Sequence, residues 1–182
     1  YSSPSLNWWA WIQTDSRKKV VFSINPWGNR SRDNVKGNGI WTSLKIQALE
    51  NLSFTLTTSM NKLDDTWTWV GKAQMGSGET RYIWSDALFT TINTTLRTDL
   101  TLSNNLSIQY YAQPYITVGE YFNFRRVGDP LSHNFDERFL DVDAEYNSST
   151  GVYDVDEDMD GTVDYSFGGN VDYNYKQFRS NF

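Results

Sequence analysis

The stretch LFTTINTTLRTDLTLSNNLSIQYYAQPYITV, residues Leu88–Val118, sorts its side chains by parity almost without error. On the outgoing arm Leu88, Ile92, Leu96, Leu100 and Leu102, with Thr90, Thr94 and Thr98, hold the even positions. Phe89, Thr91, Asn93, Thr95, Arg97, Asp99, Thr101 and Ser103 hold the odd ones. The return arm repeats the split: Leu106, Ile108, Tyr110, Ala112, Pro114, Ile116 and Val118 alternate with Ser107, Gln109, Tyr111, Gln113, Tyr115 and Thr117. Successive strand residues point to opposite faces, so the pattern predicts an antiparallel hairpin with one apolar and one polar face. Such a hairpin belongs to a barrel in lipid with a polar lumen, or to a soluble sheet packed on one side.

The composition narrows the choice. The chain has 182 residues, 38% hydrophobic, yet 16% aromatic, with 8 Trp, 11 Tyr and 10 Phe. Amphipathic aromatics concentrate where an apolar phase meets water, as in membrane girdles, and also on sugar-binding surfaces. No run of about 18 apolar residues is present, which excludes a transmembrane helix, and no basic-then-apolar leader opens the chain. Its first residue is Tyr1; it reads as a processed chain or a piece of a longer one. With no cysteine there is no disulfide framework and no thiolate site, and a net charge of -6 argues against nucleic acid.

Working outward from the hairpin, Leu6–Thr14 reads as a first strand and Asp15–Lys18 as a tight turn into a strand through Val20, Phe22 and Ile24, ended by Pro26. Trp27–Gly39 lacks alternation and reads as an exposed loop. A strand over Ile40–Ala48 turns at Glu50-Asn51 into one over Leu52–Met60. A loop through Asp64-Asp65 then leads to a strand over Trp67–Met75, and the Gly76–Glu79 turn leads to a long strand from Thr80 that either runs into the hairpin or breaks near Asp86. About seven strands arise by Val118, each near the 9–11 residues that cross a bilayer, with connections alternating short and long. Pro114 lacks an N–H and predicts a bulge or the end of regular pairing. From Glu120 to Asn170 alternation disappears, giving a long acidic loop of the kind that is functional or disordered. It returns over 171–182.

One motif has metal-ligand spacing. In DVDEDMDGTVD, Asp154–Asp164, alternate carboxylates followed by Gly161 give the start of a calcium loop, with Asp156, Asp158, Asp160 and Asp164 at the ligand positions. The twelfth position is Phe167, not the bidentate Glu, so a solvated acidic loop competes with calcium. His133, the sole histidine, sits beside Ser132 without a nucleophile elbow and reads as a surface residue. Asp141/Asp143 and Asp136/Glu137 have the form of glycosidase carboxylate pairs, a match of little specificity in so acidic a loop. Trp8, Trp9, Trp11, Trp41, Trp67, Trp69 and Trp84 read as a membrane girdle or core packing in preference to a sugar platform.

The segment LSIQYYAQPYITVGEY, Leu106–Tyr121, preceded by Leu96-Arg97, resembles a signature of a poorly characterised family of Bacteroidota-type outer-membrane proteins. The Asp-rich stretch with Gly161, Ser166-Phe167 and Phe178–Asn181 resemble it too, so the likeness covers about Ile83 to Phe182. It implies a C-terminal β-barrel preceded in the full protein by a module like family-9 carbohydrate-binding domains. It also implies that this chain is an internal fragment whose last strand continues. No catalytic residues come with it.

These readings converge on an all-β antiparallel meander spanning 1–182 and forming part of a transmembrane barrel in the bacterial outer membrane. Its strands fall within 6–118 and 171–182, and 120–170 is a cell-surface loop. Even-numbered residues of the hairpin face lipid, while Arg97, Asp99, Gln109 and Gln113 face the lumen. Expected partners are outer-membrane lipid, the remainder of the same polypeptide, a glycan or other nutrient that is bound or passed, and other outer-membrane proteins. Calcium is the one cofactor expected and no catalysis is assigned to this segment. A secreted β-sandwich that binds carbohydrate and the barrel part of a surface glycoside hydrolase are the alternatives.

Overall fold

The structure, a computed structural model, describes residues 4–32 and 35–182. Strands β1 (Ser5–Trp9), β2 (Ile12–Gln13), β3 (Val20–Ser31), β4 (Lys36–Leu49), β5 (Leu52–Gln74), β6 (Thr80–Ser103) and β7 (Leu106–Val127) form an antiparallel meander. A four-residue helix α1 (Phe135–Arg138) follows, then β8 (Phe139–Asp141), β9 (Ala144–Asn147), β10 (Val152–Val155), β11 (Tyr165–Phe167) and β12 (Tyr173–Asn181). The large sheet runs β1-β3-β4-β5-β6-β7-β12, with β2 on β3 and β8 on β7. A separate three-stranded sheet runs β11-β10-β9. The all-β, antiparallel class read from the alternation is the class observed.

The chain divides into two compact units. The first comprises 1–63, 89–118 and 174–182; the second comprises 64–88 and 119–173. In the first, opposed residues share parity: Val20 faces Ile46, Phe22 faces Leu44 and Ile24 faces Thr42. Cross-strand partners lie on one side of a sheet, so the even apolar residues of β3 and β4 share a face, and the Thr58–Thr94 contact between β5 and β6 and the Thr91–Thr117 contact between β6 and β7 keep the same parity. Among the described residues, nothing in this unit covers that face. The buried residues described here are Ser23, Gly28, Gly37 and Ala112, all small, whereas Phe22, Ile46, Leu56, Leu96, Leu102 and Ile108 are exposed. The opposite face carries polar pairs: Arg97 Nε lies 3.1 Å from Asp99, Gln113 donates to Asn93 at 2.8 Å, and Thr91 and Thr117 hydroxyls meet at 3.1 Å.

The second unit has a core of its own. Ile83, Phe124, Tyr153, Val155, Tyr165 and Phe167 are buried together. Tyr153 stacks on Phe167 with centroids 5.4 Å apart and 12° between planes, and Phe124 packs on both. Rings of this size supply most of the burial that so short a segment needs. A second aromatic group joins Phe139 to Trp67 and Trp84, so these two tryptophans pack against other rings, one of the two roles left open for the tryptophans.

Several boundaries differ from the sequence reading. Trp27–Gly39 is not a loop: β3 runs through Pro26 to Ser31 and β4 starts at Lys36, with Trp27 opposite Gly39 and Asn29 opposite Gly37. Asp33 and Asn34 of that stretch lie outside the described residues. Apart from Trp27 and Val35 the stretch is polar or glycine on both faces, so a ladder held by backbone hydrogen bonds leaves no alternating hydropathy signal. The break at Asp64-Asp65 does not occur, and β5 is one strand of 23 residues. Likewise β6 runs unbroken through Asp86, and β7 passes through Pro114 to Val127. The expected first strand is instead split into β1 and β2 at Ala10-Trp11.

Candidate functional site

The expected loop 120–170 is largely built structure. β7 continues past Gly119, but Asn123 inside it takes φ +53, the left-handed region that Asn tolerates better than most residues. At that kink the alternation fails, because Phe124 and Arg125, adjacent in sequence, are both buried. Phe124 enters the core, and Arg125 donates to Asp86 at 2.6 Å. Asn123 holds the other Asp86 oxygen at 2.8 Å. Arg125 also lies 3.5 Å from Asp141, its register partner on β8, and 5.4 Å from the centre of the Phe135 ring.

Asn123, Arg125, Phe135 and Asp141, though not Asp86, line an open cavity of about 890 Å³ with Asp136, Phe139, Asp143 and Met159. Thus Asp136, Asp141 and Asp143, named on weak sequence grounds, converge on one cavity. Glu137 does not line it; its carboxylate accepts from the Ser132 hydroxyl at 2.7 Å. Ser132 and Asn134 build the turn into α1, where Asn134 accepts from the Asp136 N–H. His133 between them is exposed, as a surface-loop residue should be. The Asp86–Arg125–Asn123 cluster was invisible in sequence, because its members come from two strands and a kink that no local pattern announces.

The acidic motif forms the connection from β10 to β11. Asp156, Asp158 and Asp164 bring carboxylate oxygens within 4.8 Å of one another. Asp160 does not join them, since its carboxylate is engaged by Thr162, whose N–H donates at 2.8 Å. Backbone donors hold the others: Gly161 N–H to Asp156 at 2.7 Å, and Glu157 N–H to Asp164 at 2.7 Å. Gly161 takes φ +88, which a side chain would strain, so the turn uses the glycine as the motif predicts. The Asp160 N–H donates to Asp158 and lowers its carboxyl, but desolvation and the charges of Asp160, Asp164 and Asp156 outweigh it and leave Asp158 above its ordinary value. Asp160 is held below its ordinary value by the Thr162 hydroxyl and N–H. Asp154, at the edge of the motif, is lowered by hydrogen bonds from Ser166 and Asn147.

Glu157, between two of these aspartates, faces away to bridge Arg81 on β6 at 3.0 Å and Arg126 on β7 at 2.7 Å. The loop is thereby tied to the strands of its own unit.

The fold and site define an all-β antiparallel meander whose second unit presents a cavity and an acidic loop. The chain matches, over residues 1–181, the family described as a domain of unknown function (DUF5916), and it belongs to that family. No curated protein and no solved structure matches it.

Proposed function

We propose that this chain is part of an outer-membrane β-barrel that binds or passes a glycan or another nutrient, with no catalytic step carried by this segment. One observation carries the reading: the first unit presents an even-numbered apolar face, and its described residues bury only small side chains and form no core of their own beneath that face. A sheet of that kind is stable when lipid supplies the missing apolar layer. Strands β3 and β4, at 12 and 14 residues, and the stretches 52–63, 89–103 and 106–118 are of bilayer-crossing length. The edges β1 and β12 would then pair with further strands of the same polypeptide, because unpaired edges are not tolerated in lipid. The family-9-like upstream module and the Bacteroidota-type setting belong to the same proposal, as does exposure of 120–170 at the cell surface beside other outer-membrane proteins.

The test compares Leu96→Arg with Arg97→Leu. An arginine at the bilayer midplane on the lipid face costs about 2–4 kcal/mol, so Leu96→Arg should deplete the assembled, membrane-inserted form while Arg97→Leu should not. Equal tolerance of the two substitutions rejects the orientation. A secreted β-sandwich that binds carbohydrate has less support, since every strand described in the first unit belongs to one sheet and none packs a second layer on its apolar face. A glycoside hydrolase contribution is favoured by one observation, the shared cavity of Asp136, Asp141 and Asp143. Hydrolysis of a glycan by the full-length protein, lost in Asp141→Asn or Asp143→Asn, would establish it.

Calcium at Asp156, Asp158 and Asp164 is also a proposal, supported by the convergence of their oxygens. Asp160 would act in it through Thr162 as a turn-building residue.

A further inference from the structure

Four tryptophans lie where a lipid-facing girdle would not put them. Trp9 is the register partner of Trp27, and Trp41 that of Asn25, so all three stand on the odd, polar face of the first unit. Trp11 stacks on Trp41 with ring centroids 5.5 Å apart and 22° between planes, which sets it on the same face. Trp8, opposite Gly28, is on the even face with the apolar residues.

The four differ in exposure. Trp27 is fixed: its indole N–H donates to Asn61 at 3.2 Å, and its ring lies over Gly39, where any Cβ would come within 2.5 Å of it. Trp9 and Trp11 are the exposed members, at 73% and 51%. Around them the odd positions of β1–β4 include the amides and hydroxyls of Asn7, Gln13, Ser23, Asn25, Asn29 and Ser43; the apolar Val21 and Leu49 and the charged Lys45 lie toward the β2–β3 and β4–β5 turns.

This surface has the chemistry of a neutral polyhydroxylated ligand. Indole faces pack on the C–H faces of sugar rings, while amides and hydroxyls exchange hydrogen bonds with sugar hydroxyls. An anionic ligand would find its cations at Arg17, Lys18, Lys19 and Lys45, which line a pocket at the turn between β2 and β3, and not among the tryptophans. We propose that the odd face of β1–β4 is a binding shelf for a neutral oligosaccharide, with Trp9 and Trp11 stacking on sugar rings and Trp27 and Trp41 holding the shelf rigid. The inference rests on the glycan part of the reading above and assigns it a place.

The experiment uses the full-length protein in detergent and a panel of neutral hexasaccharides, α- and β-linked glucose, β-linked mannose and β-linked xylose, followed by tryptophan fluorescence and calorimetry. At least one should bind wild type, with affinity weakened tenfold or more in Trp9→Ala and in Trp11→Ala, unchanged in Trp8→Ala, and largely restored in Trp11→Phe. No binding to any of the panel, or equal losses in Trp8→Ala and Trp9→Ala, overturns the shelf. Membrane assembly of the same variants is read in parallel. Binding lost with assembly intact supports the shelf, and a water-soluble protein that still binds through Trp9 and Trp11 keeps the shelf while rejecting the barrel.

Discussion

Arg125 and Asp86 meet at 2.6 Å with side chains only 10% and 11% exposed, so a full ion pair is enclosed in the second unit beside a core of aromatic rings. Enclosed charges are tolerable only as partners, because removing one leaves the other desolvated and unpaired. Asp86→Ala should therefore destabilise the protein by about 3–5 kcal/mol, whereas the double substitution Asp86→Leu, Arg125→Met should recover most of that loss. Denaturant unfolding of the wild type and the two variants checks it, and a double variant no more stable than the single one refutes the account.

The kink at Asn123 makes a separate prediction. Its φ of +53 is what lets Phe124 and Arg125 both turn inward. Asn123→Gly keeps the conformation and loses the 2.8 Å bond to the Asp86 carboxylate, so it should cost little more than that bond, about 1.5–3 kcal/mol. Asn123→Val forces a β-branched residue into the left-handed region and should cost clearly more. Hydrogen exchange at Phe124 and Arg125 would report the difference.

The acidic loop should respond to pH with two opposite signs. Asp154 and Asp160 are held low, so the stability they add is present above the ordinary carboxylate range and is lost as pH falls through their lowered values. Asp158 is held high, so its contribution is present below the ordinary range and is lost as pH rises through its raised value. Asp158→Asn should abolish the second loss and leave the first. Protease resistance of the loop as a function of pH is the measurement.

Calcium should reverse the penalty at Asp158 by supplying the missing positive charge. Calorimetric titration of the full chain with calcium should release or absorb heat, with the signal lost in Asp158→Asn and Asp164→Asn. Asp160→Asn should be milder, because the Asp160 carboxylate bonds Thr162 and stands outside the converging group. No heat, together with unchanged protease resistance, would leave a solvated acidic loop.

Tyr165 offers a spectroscopic handle on the same unit. Burial pushes its hydroxyl up to about 12, with Glu157 adding to the shift and Arg126 and Arg81 opposing it. Glu157→Gln removes the nearby negative charge but also frees the two arginines, so alkaline titration of Tyr165 should move to lower pH in that variant. Ultraviolet difference absorbance would follow it.

What was legible in the sequence was set by where one face of a strand is wet and the other apolar. Leu88–Val118 announced its faces through period-two alternation, and the even-numbered face is the one that Val20, Phe22, Leu44 and Ile46 share in the register of β3 and β4. The acidic loop was legible too, because a turn that gathers carboxylates on a glycine needs only local spacing. The strands of Trp27–Gly39 leave no alternation because, Trp27 and Val35 apart, both faces are polar or glycine, and the strand beyond Gly119 leaves none because its residues enter a unit with its own core, where alternation dissolves. The sequence by itself therefore determined the strand class, the two-sided sheet and the carboxylate turn. Tertiary structure alone decided that Arg125 reaches Asp86, that Asp136, Asp141 and Asp143 line one cavity, and that Trp9, Trp11, Trp27 and Trp41 share a face. Each of these depends on strand register and on a backbone kink, and contacts between distant strands leave no periodic trace in the chain.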